Sequence, residues 1–532
     1  MQTNEALKAP MLNDVPDVEA KLFEMLDAGR GRDAIRMMLG LLVDLRDCNA
    51  AAQLRIHGLL RRIYGRNSEK ITSAQLDLFF ATLAENSDGD AEGPVLVPPV
   101  LPPAPDPKRS KHGGGRKPLP DDLPVETVNI PVPDDKRACP KCGAERQSCE
   151  HEVTRLIEYV PPSFKILEEK REKLICRPCG EFVTAPLGVR VVEGARPGPQ
   201  LVATLIVNKW QDATPHNRST DIFARLGVNF SRSTLTDWAA RGLDAIEPIA
   251  WRITQRVLGA SYINIDDTGV RVLDKEHPNG VKRGHMWSMI DRENKLAAYF
   301  YTKDWSVSGP AEVLTTFSGY LQSDEYAGFE KIAAAAQGRI TRVGCHMHAR
   351  RRWEAALDGG DARAAFGIDV YKRLYAIERA CKDDALDVAA RHARRRAESV
   401  PLLDSLREWA DRLHPTLLPT APLRKATMYL RDHWDALTCF LSDGRLDIDN
   451  GIVERELRRV ALGRKNWLFA GSDDGAARAA VAYTILATCR INGVEPTAYI
   501  VDVLKHLSSG WPMHRIDELL PDKWAPASDA AG

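Results

Sequence analysis

The chain of 532 residues is too long for a single hydrophobic core, and its length predicts about three or four domains. Its 73 basic residues equal its 73 acidic residues, so overall charge indicates no partner and only local clusters of charge can do so. The sequence shows neither a signal peptide nor an uncharged apolar run of about 18 residues, which argues against the secreted and membrane-spanning classes and predicts a cytoplasmic protein.

An N-terminal helical region is predicted over residues 1–84. Within it, apolar side chains follow heptad spacing from Ala34 to Leu59, and Arg55 interrupts the pattern. The spacing is typical of a short coiled coil, and it fits equally an amphipathic helix that packs on its own domain.

A linker is predicted at residues 85–120. Seven prolines between Pro94 and Pro107 exclude a helix or a central strand and predict a stiff, extended segment. The segment ends in a glycine-rich stretch with Arg116 and Lys117, which favours either contact with DNA phosphates or a basic tip without a specific ligand.

Two CxxC motifs predict a zinc-ribbon-like domain over residues 121–195. Cys139 and Cys142 form the first motif, Cys176 and Cys179 form the second, and 33 residues separate them. Two such turns supply four thiolates, which is the ligand set of a closed tetrahedral Zn²⁺ site. We therefore expect this metal to be structural.

A helical domain is predicted over residues 196–248. Its helices are expected at residues 201–210, 217–226 and 231–242. A turn at Gly227 and a second helix that opens with Ser231, Arg232 and Ser233 are typical of a helix-turn-helix, in which the second helix enters the DNA groove. Arg232 and Ser233 are therefore candidate DNA contacts, and a plain three-helix packing unit is the alternative.

The first part of a catalytic domain is predicted over residues 249–350. Alternating apolar and polar residues predict its strands at 261–273, 281–291, 296–302, 319–324 and 340–345. The first strand is expected to leave the core at Asp266, and the fourth is expected to end in Asp324. Either aspartate alone is more often a turn former or a cap.

A third carboxylate comes from a helix in the second part of this domain, at residues 444–475. Asp449 and Asn450 are predicted to cap the helix, and Glu454 lies at the edge of its apolar stripe. An ordinary ion pair between Glu454 and Arg458 is the simpler interpretation. Together with Asp266 and Asp324, however, Glu454 completes a set of carboxylates that can hold two divalent ions, Mg²⁺ or Mn²⁺, about 4 Å apart.

Several motifs, taken in order, resemble those of the insertion sequence 66 family of bacterial DDE transposases. They are GRNSEK, GRKPLP, the paired CxxC motifs, SRSTLTDW, NIDDTGVRVL, LQSDEYAGFE, GCHMHARRRW, DNGIVERELRRVALGRKNWLFAG and TCRINGVEPTAYI. The resemblance covers nearly the whole chain. Two positions depart from it, because the family has Glu where Asp267 follows the first acid and a second Asn at Gly451.

The resemblance implies a multidomain α+β protein with a ribonuclease-H-like catalytic domain and the catalytic triad Asp266, Asp324 and Glu454. A helical insertion at residues 351–443 would interrupt that domain, and a helical region at 476–532 would follow it. The basic face of the insertion at Arg391, Arg394, Arg395 and Arg396 either follows phosphates or is a solvated surface.

The implied activity is metal-dependent cleavage of the terminal inverted repeats of a mobile element and joining of the freed 3′-hydroxyl to target DNA. The resemblance also implies a homo-oligomer on DNA, a nucleoid location and small accessory proteins. A zinc-containing DNA-binding regulator with an inactive catalytic domain is the alternative, and a nuclease without strand transfer is a third possibility.

Further residues near the triad are predicted to contact DNA. They are His348, Arg350, Arg351, Arg458, Arg464 and Lys465. His346 and His348 are expected at the end of a strand, where they make a weak zinc site and are interpreted as DNA contacts or supports of the active site. Trp467 is expected to pack rather than to stack on a base.

Overall fold

A computed structural model describes residues 22–31 and, without a gap, residues 197–525. The other described positions are 34, 35, 38, 98, 99, 101, 125–127, 137, 141, 144, 162–175, 177, 181–185, 190 and 191. The chain divides into two compact units, residues 104–170 and the remainder. The four predicted zinc cysteines, Arg116, Lys117 and most of the heptad segment lie outside the described residues.

The larger unit contains a five-stranded mixed sheet. Its strands are β3 (Tyr262–Leu273), β4 (Val281–Asp291), β5 (Leu296–Thr302), β6 (Gly319–Gln322) and β7 (Ile340–Val343). They lie in the order β5-β4-β3-β6-β7, with antiparallel pairing from β5 to β3 and parallel pairing from β3 to β7. A separate antiparallel pair joins β1 (Lys173–Ile175) and β2 (Phe182–Thr184). The bounds predicted for β3, β4 and β5 are confirmed to within one residue.

Helices make up most of the rest of the described chain. They are α1 (Pro199–Trp210), α2 (His216–Arg225), α3 (Arg232–Leu258), α4 (Ser308–Val313), α5 (Ala327–Ala335), α6 (His346–Asp358), α7 (Ala364–Asp383), α8 (Val388–Arg394), α9 (Val400–Leu413), α10 (Pro422–Asp432), α11 (Trp434–Thr438), α12 (Gly451–Trp467), α13 (Asp473–Asn492) and α14 (Pro496–Ser508). Short turns of 3-10 helix occur at Leu314–Thr316, His414–Thr416, Cys439–Leu441 and Met513–Leu519, and a π-helical turn occurs at Arg395–Ser399.

The helices before the sheet form as predicted, except that the third is much longer. The Ser231 side chain accepts a hydrogen bond of 3.1 Å from the Thr234 N–H and so caps α3. The predicted end at residue 242 is wrong, because α3 runs on to Leu258 and packs on β5 and α13. Gly242 lies inside the helix, at a close approach to Val202 of α1, and does not end it.

The segment between β7 and α12 is helical, as predicted, and has its own apolar core. Fully buried aromatic residues such as Trp353, Tyr371 and Trp409 form its centre. The expected basic face is wrong for Arg395, which is fully buried and forms a 2.7 Å ion pair with Glu378. Arg391 pairs with the same glutamate, and Arg394 pairs with Asp384 and Glu398. These three arginines therefore hold the helices together instead of facing phosphates.

Helix α13 covers the edge strand β5 with two buried hydroxyls. The Tyr299 N–H donates to Thr484 Oγ1 at 2.8 Å, and the Ala297 N–H donates to Thr488 Oγ1 at 3.2 Å. The Thr488 hydroxyl donates in turn to the Ala297 carbonyl at 3.0 Å. Side chains one helical turn apart thus bond to backbone groups that a further strand would otherwise pair with.

Among the described residues, none of the helices combines the length and the apolar character that a membrane span requires.

Candidate active site

Asp266 lies in the middle of β3, at the level where the neighbouring parallel strand ends. The expectation that the strand itself leaves the core at Asp266 is wrong, because β3 stays paired with β4 through Asp266 and on to Leu273. Its pairing with β6, in contrast, stops at Asn264 opposite Gln322. Among the described residues no strand pairs with this side of β3 between Asn264 and the single bridge of Val272 to Ala470, and Asp266, which is half-buried, lies in that interval.

Asp324 follows the end of β6 at the same level. Asn264 and Gln322 are the last register partners of β3 and β6. Asp266 and Asp324 each follow two residues later, so both lie just beyond the end of this pairing. The Tyr326 N–H donates to Asp324 Oδ1 at 3.0 Å, which fixes this carboxylate at the start of the turn into α5. Withdrawal from water raises the pKa of Asp324.

Glu454 reaches the same place from the first turn of α12. Val453, Leu457 and Val460 bury the apolar face of this helix, which packs on β3 and β4, and Glu454 lies half-buried at the edge of that face. Arg351 of α6 donates to Glu454 Oε2 at 2.9 Å, and His348 Nε2 lies 3.7 Å from Glu454 Oε1. Arg351 therefore pairs with one oxygen of this carboxylate, while the other oxygen lies beside His348 without a hydrogen bond from it.

The electrostatics of Asp266 reflect other carboxylates in its surroundings. The pKa of Asp266 is raised to about 8, first by withdrawal from water and then by the charge of Asp324, with smaller contributions from Asp267 and Glu454. Nearby charges of like sign raise a carboxylate pKa in this way. The three acids that the sequence suggested come from β3, from the turn after β6 and from the first turn of α12, which packs on β3.

The two rival acids are engaged elsewhere. The Asp267 carboxylate accepts a hydrogen bond from the Trp305 indole at 3.1 Å and another from His285 Nδ1. Glu456 forms an ion pair with Arg490 of α13, on another face of α12 from Glu454, as predicted. Both acids have partners of their own, whereas Asp266 forms no ion pair among the described residues.

The predicted capping of α12 is wrong for Asn450, whose side chain makes no capping hydrogen bond. Its amide group turns instead toward β3, where Nδ2 donates to the Ile265 carbonyl at 2.8 Å. Asp449 Oδ1 accepts the Gly451 N–H at 2.8 Å and serves the helix start.

The histidine pair lies in the first turn of α6, so the expectation of a strand end is wrong. His346 is fully buried and its Nε2–H donates to the Leu437 carbonyl at 2.7 Å, while burial lowers its pKa to about 4. His348 faces Glu454, and one ligand atom each from Cys345, His348 and Glu454 lie within 4.8 Å of one another. His346 is therefore a core residue, and His348 belongs to the candidate site.

The predicted DNA contacts differ in their surroundings. Arg232, Ser233, Arg458 and Lys465 are exposed, and Arg350 pairs with Glu354 at 2.9 Å on the surface of α6. Arg464 turns inward, because its guanidinium donates to Thr268 Oγ1 at 2.9 Å and to the Gly269 carbonyl. Trp467 is half-buried at the end of α12, against Gly463.

Two buried amides close to the acids had not been predicted from the sequence. Asn264 and Gln322 are fully buried and hydrogen-bonded to each other at 2.9 Å. The sequence does indicate a buried amide at Asn264, because this residue stands between Ile263 and Ile265 in an apolar strand. A buried polar side chain in such a strand requires a hydrogen-bond partner.

Comparisons with known proteins give a consistent result. A family model described as "Transposase IS66 family" matches residues 194–478, and the model "IS66 C-terminal element" matches residues 484–521. A third model, "Transposase C of IS166 homeodomain", matches residues 52–128.

Relatives in Sinorhizobium fredii (strain NBRC 101917 / NGR234) are similar over most of their length. The uncharacterized protein y4hP is 32% identical over 504 residues, which cover 90% of each chain. The uncharacterized protein y4jD is 26% identical over 507 residues, which cover 92% of this chain and 96% of the relative.

Proposed function

We propose, since this chain belongs to the IS66 family of transposases, that it cuts the ends of an insertion sequence and joins them to target DNA by a DDE mechanism. Asp266, Asp324 and Glu454 are the catalytic carboxylates in this proposal. The observation that carries it is the placement of the acids: Asp266 and Asp324 each follow, by two residues, the last register pair of β3 and β6, and the helix that bears Glu454 packs on β3.

The sheet supports a ribonuclease-H-like catalytic domain. Three antiparallel strands are followed by two parallel ones, with the first acid on the central strand β3 and the second just beyond its parallel neighbour β6. The third acid comes from α12, which packs on β3. Two of the three acids thus lie on a strand and a helix, and such elements hold a site more precisely than loops do; Asp324 lies in the turn directly after β6.

The donor set fits divalent magnesium or manganese. All three groups are carboxylate oxygens, which hard cations prefer, and their mutual repulsion is relieved by a bound cation of double charge. Two such ions, when bound, activate a water or a 3′-hydroxyl and stabilise the leaving oxygen of the phosphodiester. In the proposed mechanism Asp266, Asp324 and Glu454 would hold these ions.

The surrounding side chains of this chain orient the acids. Arg351 pairs with the carboxylate of Glu454, His348 lies beside it, and the backbone N–H of Tyr326 fixes the carboxylate of Asp324. Arg464 ties the last turns of α12 to β3 just beyond Asp266, through Thr268. We assign Arg464 to positioning instead of the DNA contact that the sequence suggested.

Exposed cations supply the proposed contact with DNA. Arg232 and Ser233 start α3, while Arg458 and Lys465 lie on the exposed side of α12, the helix that carries Glu454. Such side chains neutralise phosphates and orient a duplex without reading its sequence. Arg116 and Lys117 are proposed to extend this contact, and the four CxxC cysteines to hold a structural Zn²⁺.

A cleavage assay tests the proposal directly. Labelled DNA that carries the terminal inverted repeats of the element encoding this chain is incubated with the full-length protein in Mg²⁺ or in chelator. We expect cutting and strand transfer in Mg²⁺ alone. End binding without cutting in Mg²⁺ would overturn the proposal and favour a DNA-binding regulator, and cutting without joining would favour a nuclease.

Matched variants assign the roles of the acids. Asp324→Asn and Glu454→Gln should each lower the cleavage rate by at least about 10³-fold while end binding persists, because each keeps its shape but loses a charged ligand. Glu456→Gln is the control, since Glu456 lies two residues from Glu454 but pairs with Arg490. Normal strand transfer by Asp324→Asn would contradict the assignment of the triad.

A further inference from the structure

We propose that three buried amide side chains, Asn264, Gln322 and Asn450, form a positioning unit that sets the mutual register of the three carboxylates. All three are fully buried. The proposal rests on the proposed function, because it explains how the elements that carry Asp266, Asp324 and Glu454 are held together, and it adds residues that contact neither DNA nor metal.

Asn264 is the centre of the unit. Its Nδ2 donates to Gln322 Oε1 at 2.9 Å and to Asn450 Oδ1 at 3.1 Å. Asn450 Nδ2 donates back to the Ile265 carbonyl of β3 at 2.8 Å. One amide group on β3 therefore joins both the parallel strand β6 and the start of α12.

Gln322 extends the same unit to the chain that leads into α12. Its Nε2 donates to the Gly344 carbonyl at 3.2 Å and to the Asp447 carbonyl at 2.8 Å. Tyr262 donates to Gln322 Oε1, and the Tyr262 hydroxyl accepts the Asp447 N–H at 3.1 Å. The approach to α12 is thus bonded to β3, which carries Asp266, and to the end of β6, two residues before Asp324.

The spacing in sequence shows why these bonds control the acids. Asn264 precedes Asp266 by two residues, the repeat of a strand, and Gln322 precedes Asp324 by the same interval. Asn450 precedes Glu454 by four residues, about one turn of helix. Each amide therefore lies one structural repeat from an acid, and a shift of one amide moves the acid with it.

The chemistry of the unit favours a role in positioning over a role in stability. Asn264 Oδ1 is buried and has no hydrogen-bond partner among the described residues. An unpaired buried acceptor is unfavourable, and an apolar side chain of similar size would avoid that cost. Directional hydrogen bonds fix one alignment of β3 with β6 and with the start of α12, which apolar packing does not. This difference accounts for amide side chains at these three buried positions.

The test compares Asn264→Leu, Asn450→Leu and the double variant in the full-length protein. Thr488→Val is the control, because it removes a buried hydroxyl that bonds to the backbone of β5, on the edge strand far along the sheet from β6. Three properties are measured: the Mn²⁺ dissociation constant by calorimetry, the Tm, and the single-turnover cleavage rate on labelled ends.

We expect each single Leu variant to weaken Mn²⁺ binding by about 10-fold or more, which is the usual effect of removing a group that orients a metal ligand. The double variant should weaken Mn²⁺ binding no further than a single variant, since both substitutions remove the same hydrogen bond between Asn264 and Asn450. Its Tm should be no lower than that of the weaker single variant, because two apolar side chains then face each other. Thr488→Val should lower Tm while the Mn²⁺ dissociation constant stays within about twofold.

Other outcomes are decisive as well. Folded Leu variants with unchanged Mn²⁺ affinity would overturn the proposal. So would a double variant whose loss of Mn²⁺ affinity equals the sum of the losses in the two single variants. Should the Leu variants fail to fold, Tyr262→Phe removes only one hydroxyl of the network and should still weaken Mn²⁺ binding relative to Thr488→Val; equal binding would refute the positioning role. A wild-type protein that binds Mn²⁺ but cuts no ends would instead contradict the proposed function.

Discussion

Arg351 on α6 donates a hydrogen bond of 2.9 Å to Glu454 on α12, which joins two residues that lie 103 positions apart in the chain. Arg351 is about half exposed, with 52% of its side-chain surface accessible, whereas Glu454 retains 22%. The guanidinium thus reaches the proposed metal site from solvent and pairs with one of its ligands.

Arg351→Gln should therefore strengthen Mn²⁺ binding by a few fold, because a positive charge beside the cation site is removed and Glu454 is released. Calorimetric titration of the two proteins measures the change. Arg350→Gln is the matched control, since Arg350 pairs with Glu354 on the surface of the same helix. Weaker Mn²⁺ binding in Arg351→Gln would show that the arginine orients the ligand more than it competes with the metal.

The stability of the metal-free protein should fall as pH rises through the range set by Asp266. Its folded-state pKa of about 8 lies above the ordinary value of 3.8, so between these values the folded protein binds more protons than the unfolded chain. Stability is therefore greatest at the acid end of this window and is lost toward its alkaline end. Asp266→Asn should remove that slope and stabilise the metal-free protein at about pH 8.

Denaturant unfolding in chelator at about pH 5 and about pH 8 measures this slope. Added Mg²⁺ should raise Tm more at the higher pH, because the ionised carboxylate is the form that binds metal. An Asp266→Asn protein with the same pH slope and the same response to Mg²⁺ as the wild type would contradict the assignment of Asp266.

Arg395→Ala should destabilise the helical segment between β7 and α12 by about 3–5 kcal/mol, because it removes a fully buried guanidinium and leaves Glu378 with Arg391 as its remaining ion-pair partner. Arg395 also donates to the carbonyls of Phe440 and Leu446 at 2.7 and 2.8 Å. Chemical unfolding measures the loss. Arg396→Ala, at the exposed neighbouring position, should change stability by less than about 0.5 kcal/mol. Equal effects of the two substitutions would exclude the buried pair as the cause.

Gly319→Ala should cost more than about 3 kcal/mol, since Gly319 has a φ of +146° and an added Cβ would lie 2.2 Å from the Ser261 carbonyl oxygen. This contact is where β6 begins to pair with β3. Gly338→Ala is the control, because its φ is +86° but nothing lies within 4 Å of the added atom, so it should cost only about 1–2 kcal/mol. Similar unfolding free energies for both variants would show that the backbone contact is easily relaxed.

The sequence was a good guide where local pattern determines structure. Alternation in β3, β4 and β5 gave their bounds to within one residue, because each strand has a face that must be buried. The three acids became candidates because each stands where an apolar pattern meets a polar position and because the motifs around them resemble those of the transposase family. The side chains that hold them were largely missed, since Gln322 and Asn450 act through partners more than 50 residues away.

The errors have physical causes. The end predicted for α3 at Gly242 was wrong because the helix is stabilised along its length by packing on β5 and α13, which outweighs local propensity. The clustered arginines of the insertion suggested an exposed basic face. Glu378, which lies 13 residues before Arg391 and 17 before Arg395 in the chain, pairs with both arginines, and Arg395 is buried by this pairing. Local spacing carries no information about such a distant partner.

The hydroxyls of Thr484 and Thr488 have a consequence for how copies of the protein assemble. Because they bond to backbone groups on the outer edge of β5, a second chain cannot extend the sheet there without displacing α13. In the proposed complex that pairs two element ends, we therefore expect no continuous intermolecular β-sheet across this edge.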